Sequence, residues 1–355
     1  MKIISDHTQD TKSPKPIPGS YEWWYFDAVS DDGNTSLVII FYEGNPFSRR
    51  YIEEIKCKPN ITAEYFPAIS LSVYHKGKPV YYGFEELAAD RANFSSDWPE
   101  GNVGDSWFRL EQKQNELIYH VYVNHLMPNG DALKASLKFR SPINGSITVK
   151  DENLTEIVHS WNLIQPAANV KGLIKISGYE TFTCNFNGTG YHDHNMGEEP
   201  MREGFDEWYW GRFHTGSQTL VYYLMNRKGD WTNHALLFDD SGKARTVTGD
   251  FTGENQTFNL FGLKSYRKLV FQSDSFNFTV QQVKTIDNGP FYQRFLSRVI
   301  LHTESKIIQG RGISEYIYPA RIYSKYFWPL VNMRIQYPDN IHWVQKSPKL
   351  YRWTW

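Results

Sequence analysis

Glu22–Tyr42 reads EWWYFDAVSDDGNTSLVIIFY, and Glu207–Met225 reads EWYWGRFHTGSQTLVYYLM. Both run Glu-Trp-aromatic-aromatic and pass a polar, Gly-containing turn. Both then place a Thr one or two residues before Leu-Val and end in an apolar run. A strand–turn–strand unit met twice points to an internal duplication and hence to two β-domains in tandem. The join is expected near residues 184–206. We therefore expect an N-terminal arm over 1–18, polar and rich in proline, then an N-terminal β-domain over 19–184 and a C-terminal one over 185–355.

The rest of the chain keeps the same rhythm. Leu71-Ser72-Val73-Tyr74 leads into the turn Gly77-Lys78-Pro79, and Leu117–Val123 into Pro128-Asn129-Gly130-Asp131. Many short, evenly spaced strands read as a sandwich or barrel. Two segments have a helical reading, 152–164 and 323–333.

Composition supports an all-β chain. The 355 residues include 12 Trp, 23 Tyr and 22 Phe, while total hydrophobicity is only 40 %, so aromatics supply much of the buried surface. Aromatic side chains suit pleated sheets and also line pockets for flat apolar ligands. A formal net charge of −1 offers no general attraction for nucleic acid. Two cysteines, Cys57 and Cys184, are too few for a disulfide framework or a thiolate zinc site. The longest apolar runs fall far short of the roughly 20 residues a membrane helix needs, and MKIISDHTQDTKSPKP has no apolar signal core. A cytoplasmic location is the expectation.

The densest polar segment lies at the expected join, Gly188-Thr189-Gly190-Tyr191-His192-Asp193-His194-Asn195-Met196-Gly197. On a strand, His192 and His194 take one face while Tyr191, Asp193 and Asn195 take the other. Three readings stand side by side. His192 and His194 join His214 in a metal site, or they are structural histidines, or the segment does acid–base or cation-stabilising work. Trp23, Trp24, Trp208 and Trp210 either plug barrel ends or present indole faces to positive charge on an apolar substrate.

Glu22-Trp23-Trp24-Tyr25, the Gly190–Gly197 segment with its Asp-His-Asn-x-Gly, and Trp210-Gly211-Arg212 resemble the carotenoid 1,2-hydratase (hydroxyneurosporene synthase) family. That family sits in a wider lipocalin-like group that also holds cyclases and Diels–Alderases. The resemblance runs from about residue 18 to about residue 320. It implies an all-β fold of two tandem lipocalin-like β-barrels and a hydro-lyase that adds water to an isoprenoid or polyene double bond. No cofactor and no metal is implied. The motif histidine corresponds to His194; where the family has Trp, this chain has Met196. The family's Tyr-x-Asp aligns with Tyr222 and Leu224, within about one residue, so the expected acid is replaced by Leu224. Asp193 then becomes the first candidate acid, with Asp206, Glu207 and Glu315 behind it.

The resulting expectation makes Asp193, His194 and Tyr222 catalytic, and Trp24, Tyr191, Met196, Trp208, Trp210 and Leu224 substrate-lining. The partner is a hydrophobic small molecule, with peripheral membrane contact as a route for its uptake. The alternatives are a cyclase or pericyclase that folds a polyene, and a carrier of an apolar ligand.

Overall fold

The structure is a computed structural model that describes residues 1–58, 60–145, 147–150, 159–274, 276–303 and 306–355. The chain divides into two compact units, Met1–Gly204 with Trp328–Trp355, and Phe205–Phe327. Each is built on one curled, lipocalin-like sheet, of 13 and 9 strands respectively among the described residues.

In the first unit, Tyr21–Ser30 forms a hairpin with Thr35–Glu43, and its other edge takes Phe182–Gly197, the last strand of that unit. In the second unit, Glu207–His214 forms a hairpin with Gln218–Arg227, and its other edge takes Ile307–Ile317. Outward from these pairs both sheets continue with antiparallel neighbours in the same sequential order. The two sheets thus share one topology, as a duplicated gene would produce, and the quoted repeats occupy equivalent places in it.

Period-2 alternation decides which side chains fill each barrel. In the first unit, Phe26 packs against Phe41, Phe108, Tyr119 and Phe139, with ring centroids 5.5–6.3 Å apart. In the second, Tyr209, Phe213, Tyr222, Leu224, Phe278 and Tyr316 belong to one buried cluster.

Two glycines in the quoted motifs serve this packing. A Cβ on Gly197 would lie 2.1 Å from the Tyr21 ring, and one on Gly211 would lie 2.7 Å from the Tyr222 ring. Any larger residue at either place would push a buried aromatic out of position.

Several expectations need correcting. Residues 1–18 are no loose arm: Lys2–Ser5 is a strand, parallel to His159–Ser177 and antiparallel to Ile147–Lys150, and Met1 and Asp10 are buried. Three of its charged residues are ion-paired: Asp10 with His192 and His194, Lys12 with Glu43, and Lys15 with Glu22 and Glu43. The units divide after Gly204, within the expected 184–206 join but later than 184, and Trp328–Trp355 belongs to the first unit. Of the segment 152–164, residues 152–158 lie outside the described residues, while 159–164 is strand. The segment 323–333 is helical only from Trp328, in Trp328–Arg334. Among the described residues no helix is long and apolar enough to cross a membrane.

Candidate functional site

The strand Phe182–Gly197 carries chemistry on both faces. Its inward face places His192 and His194 beside Phe26 and Trp24, with which they stack at 3.9 and 4.5 Å between centroids. His192 donates from Nδ1 to the Tyr25 carbonyl at 3.0 Å, and its Nε2 lies 3.0 Å from Asp10 Oδ2. His194 Nε2 lies 2.8 Å from Glu22 Oε1, and its Nδ1 lies 3.3 Å from Asp10 Oδ1. Tyr119 donates to Asp10, and Lys15 bridges Glu22 and Glu43.

This is a buried cluster of paired groups assembled from the N-terminal segment and four strands. Burial alone would make the His194 imidazolium easier to deprotonate. The Glu22 and Asp10 carboxylates outweigh burial and raise His194 from 6.5 to about 9. Burial likewise favours neutral Asp10, but His192 and His194 hold it down at about 2. Glu22 is lowered too, because His194 and Lys15 outweigh its burial. The ring nitrogens of His192 and His194 are therefore committed to oxygens of the fold rather than open to a metal. His214 belongs to the second unit, where its Nδ1 lies 2.7 Å from Thr219 Oγ1. His194 and Met196 also border a cavity of about 230 Å³, whose walls include Ile4, Thr8 and Asn162.

The other face of the strand holds a different arrangement, centred on Asp193, which is 4 % exposed. Asp193 Oδ2 accepts from the Tyr191 hydroxyl and from the Trp161 indole N–H, each at 2.7 Å. Asp193 Oδ1 accepts from the Asn195 amide at 2.8 Å. Asn195 Oδ1 in turn accepts from His159 Nε2 at 3.1 Å, which leaves His159 Nδ1 to face the Tyr21 hydroxyl at 3.4 Å. Burial lowers the His159 imidazole to about 3, with only partial recovery from Asn195, so the ring is neutral at ordinary pH. Tyr21 stacks on Trp23 at 5.3 Å, and the Tyr25 and Tyr191 rings meet edge-on at 6.1 Å. Asp193 is opposite Tyr25 in the register, and Asn195 is opposite both Trp23 and Trp161. A carboxyl group that accepts three hydrogen bonds is thus set on an aromatic sheet face.

The second unit repeats this placement. Glu315 stands opposite Trp210 as Asp193 stands opposite Tyr25, and it is 7 % exposed. Its Oε1 accepts from Arg294 Nε at 2.8 Å. Trp208 stacks on Tyr223 at 6.4 Å. Glu207 is taken by the Tyr316 hydroxyl at 2.6 Å, and Asp206 accepts from the Gly229 backbone at 3.3 Å near the surface.

The expected site residues therefore separate into groups. Tyr191 and Asp193 are joined by a hydrogen bond on one face of the first unit, and Trp24, His194 and Met196 lie on the opposite face. Trp208 and Trp210 share a face of the second unit with Tyr223. Tyr222 and Leu224 do not join them: they point into the barrel core, where Tyr222 stacks on Phe213 at 6.2 Å. Tyr223, one residue along from Tyr222, is opposite Trp210 in the register and its ring stacks on Trp208.

Sequence reasoning misses His159 and Trp161 because the stretch containing them has a helical reading. Their i, i+2 spacing, His-x-Trp, mirrors Asp193-x-Asn195 on the partner strand and is the available signal.

A curled antiparallel sheet repeated in tandem, with a buried carboxyl group on an aromatic face of the first, defines the class: a double lipocalin-like protein. Within that class the chain belongs to the carotenoid hydratase CrtC family, whose profile matches residues 89–345. It is 30 % identical to the hydroxyneurosporene dehydrogenase of Chlorobaculum tepidum over 92 % of this chain and 89 % of that one. It is 26 % identical to the acyclic carotenoid 1,2-hydratase of Thiocapsa roseopersicina, over 84 % and 69 % of the two chains. Identity with the quinolone epoxide rearrangement protein asqO of Emericella nidulans is 27 %, over 61 % and 58 %. The fold is shared with the crystal structure of an AttH protein of Nitrosomonas europaea, with a TM-score of 0.59 at 14 % identity over 84 % and 92 % of the chains.

Proposed function

We propose that this protein adds water across a carbon–carbon double bond of an acyclic polyene or isoprenoid without a cofactor, with Asp193 exchanging the proton. The observation that carries the reading is the set of three donors on one buried carboxyl group beside aromatic rings. An alkene is a feeble base, so its protonation needs a strong acid. Tyr191, Trp161 and Asn195 stabilise the charge left on Asp193 after it has given up a proton, which favours the transfer.

The Asp193 proton bonds to the less substituted alkene carbon, and the double-bond pair leaves a tertiary carbocation on its neighbour. A water oxygen bonds to that carbon, and the proton it sheds returns to Asp193. The faces of Trp23 and Tyr25 supply the negative quadrupole that a carbocation prefers.

His194 has a different part from the cation-stabilising one expected of it. An imidazolium repels a carbocation, so His194 acts as a positioning residue that locks the Asp193 strand to Glu22 and Asp10. Tyr222 and Leu224 support the site only through core packing.

A second reading, acid-initiated rearrangement or cyclisation, is favoured by the similarity to the quinolone epoxide rearrangement protein. One experiment separates the two. Acyclic carotenoids are incubated with pure protein in heavy-oxygen water and analysed by mass spectrometry. A product heavier by one labelled water supports hydration, and an isomer of unchanged mass supports cyclisation. Polyene that stays bound and unreacted would reduce the protein to a carrier.

A further inference from the structure

We propose that the surface of Trp343, Leu350, Trp353 and Tyr179, flanked by Lys346 and Lys349, docks the first unit on an anionic lipid bilayer. Trp343 is 65 %, Trp353 88 % and Leu350 37 % exposed within the one segment Trp343–Trp353. Tyr179 is 52 % exposed and lies against the same segment, with the Arg352 guanidinium 4.8 Å from its ring.

The platform beneath is firmly held. Val344, Gln345 and Tyr351 are buried. Tyr351 donates to the Arg334 carbonyl at 3.1 Å, Gln345 to the Asn332 carbonyl at 3.2 Å, and Arg352 to Asp131 at 2.8 Å. The indoles are thus presented by an ordered support. Indole rings favour the boundary between headgroups and acyl chains.

Charge selects the occupant. Residues 341–355 contain Lys346, Lys349 and Arg352 and no Asp or Glu. Arg352 is engaged by Asp131 and Glu180, which leaves two exposed lysines facing solvent. A second copy seated on this patch about a two-fold axis would bring like charges together. Anionic headgroups complement them instead. The proposal builds on the reading that the substrate is an apolar polyene, because such a molecule is held in a bilayer.

The test is co-sedimentation of the full chain with vesicles of phosphatidylcholine alone, or with about one-third phosphatidylglycerol. Wild type should pellet with the anionic vesicles and be released by salt. W343A and W353A should each weaken binding about tenfold, and K346E/K349E should abolish it at low salt. No vesicle binding by wild type, or binding unchanged in W343A/W353A, would overturn the proposal. So would a wild-type dimer that W343A/W353A dissociates in sedimentation velocity. W343A/W353A should turn over detergent-dispersed polyene at the wild-type rate and vesicle-embedded polyene more slowly. If no polyene reacts in either form, the assigned reaction fails while vesicle binding still decides this surface.

Discussion

His159 Nε2 lies 3.1 Å from Asn195 Oδ1, and this contact decides which end of the Asn195 amide meets Asp193. With its oxygen taken by the imidazole N–H, the amide turns its NH₂ group to Asp193 Oδ1 at 2.8 Å. Every donor along this line points toward the carboxyl group, and His159, Trp161, Tyr191, Asp193 and Asn195 all come from two adjacent strands.

Replacing Asp193 with Asn keeps the shape and removes the exchangeable proton. D193N should lose turnover by a factor of about 10² to 10⁴, with an unchanged circular dichroism spectrum. Full activity in D193N would remove Asp193 from the chemistry.

Trp161 contributes one donor. W161F retains a buried aromatic ring but leaves Asp193 Oδ2 with Tyr191, so kcat should drop about tenfold, the worth of one hydrogen bond to a charged group. An unchanged kcat would assign the indole N–H to folding alone.

His159 separates a positioning role from a titrating one. Its imidazole is held near 3, so it does not change charge between pH 5 and 8. H159F should lower kcat about tenfold and leave the shape of the pH–rate profile as it was, with recovery in H159Q. Its native value lies below the ordinary 6.5, so the unfolded chain binds more protons in between. Wild-type stability should therefore fall as pH drops from 6.5 toward 3, and less steeply in H159F, as followed by urea denaturation.

His194 has the opposite sign. Raised from 6.5 to about 9, it contributes stability that is complete below 6.5 and lost as pH rises through 9. Wild-type Tm should decline over that window by the equivalent of a few kcal/mol, since each pH step between the two values is worth about 1.4 kcal/mol. H194Q should start lower and stay flat. Parallel curves for the two proteins would show that the cluster does not hold an imidazolium.

The barrel interior is tested at Phe26, which is fully buried among four aromatic rings and His192. F26A should destabilise by about 3–5 kcal/mol. A loss below about 1 kcal/mol would mean that the neighbouring rings collapse into the space.

What sequence alone determined is the local pattern. The paired Glu-Trp units, the alternation of strand residues and the turn chemistry placed two β-hairpins at Glu22 and Glu207, and the structure sets both at equivalent points of two like sheets. The period of 2 also separated His192 and His194 from Asp193 and Asn195, since neighbouring residues on a strand must face opposite ways. Tertiary structure decided everything that depends on which strand lies beside which. His159 and Trp161 meet Asp193 and Asn195 only because His159–Ser177 pairs with Phe182–Gly197, and no local rule sets that register. The N-terminal segment reads as a polar arm because its charges are visible in sequence and their partners are not. Asp10, Lys15, Glu22 and His194 are tolerable inside the fold only together, since each would be costly to bury alone. Alignment likewise places Tyr222 and Leu224 on a face that a shift of one residue reverses.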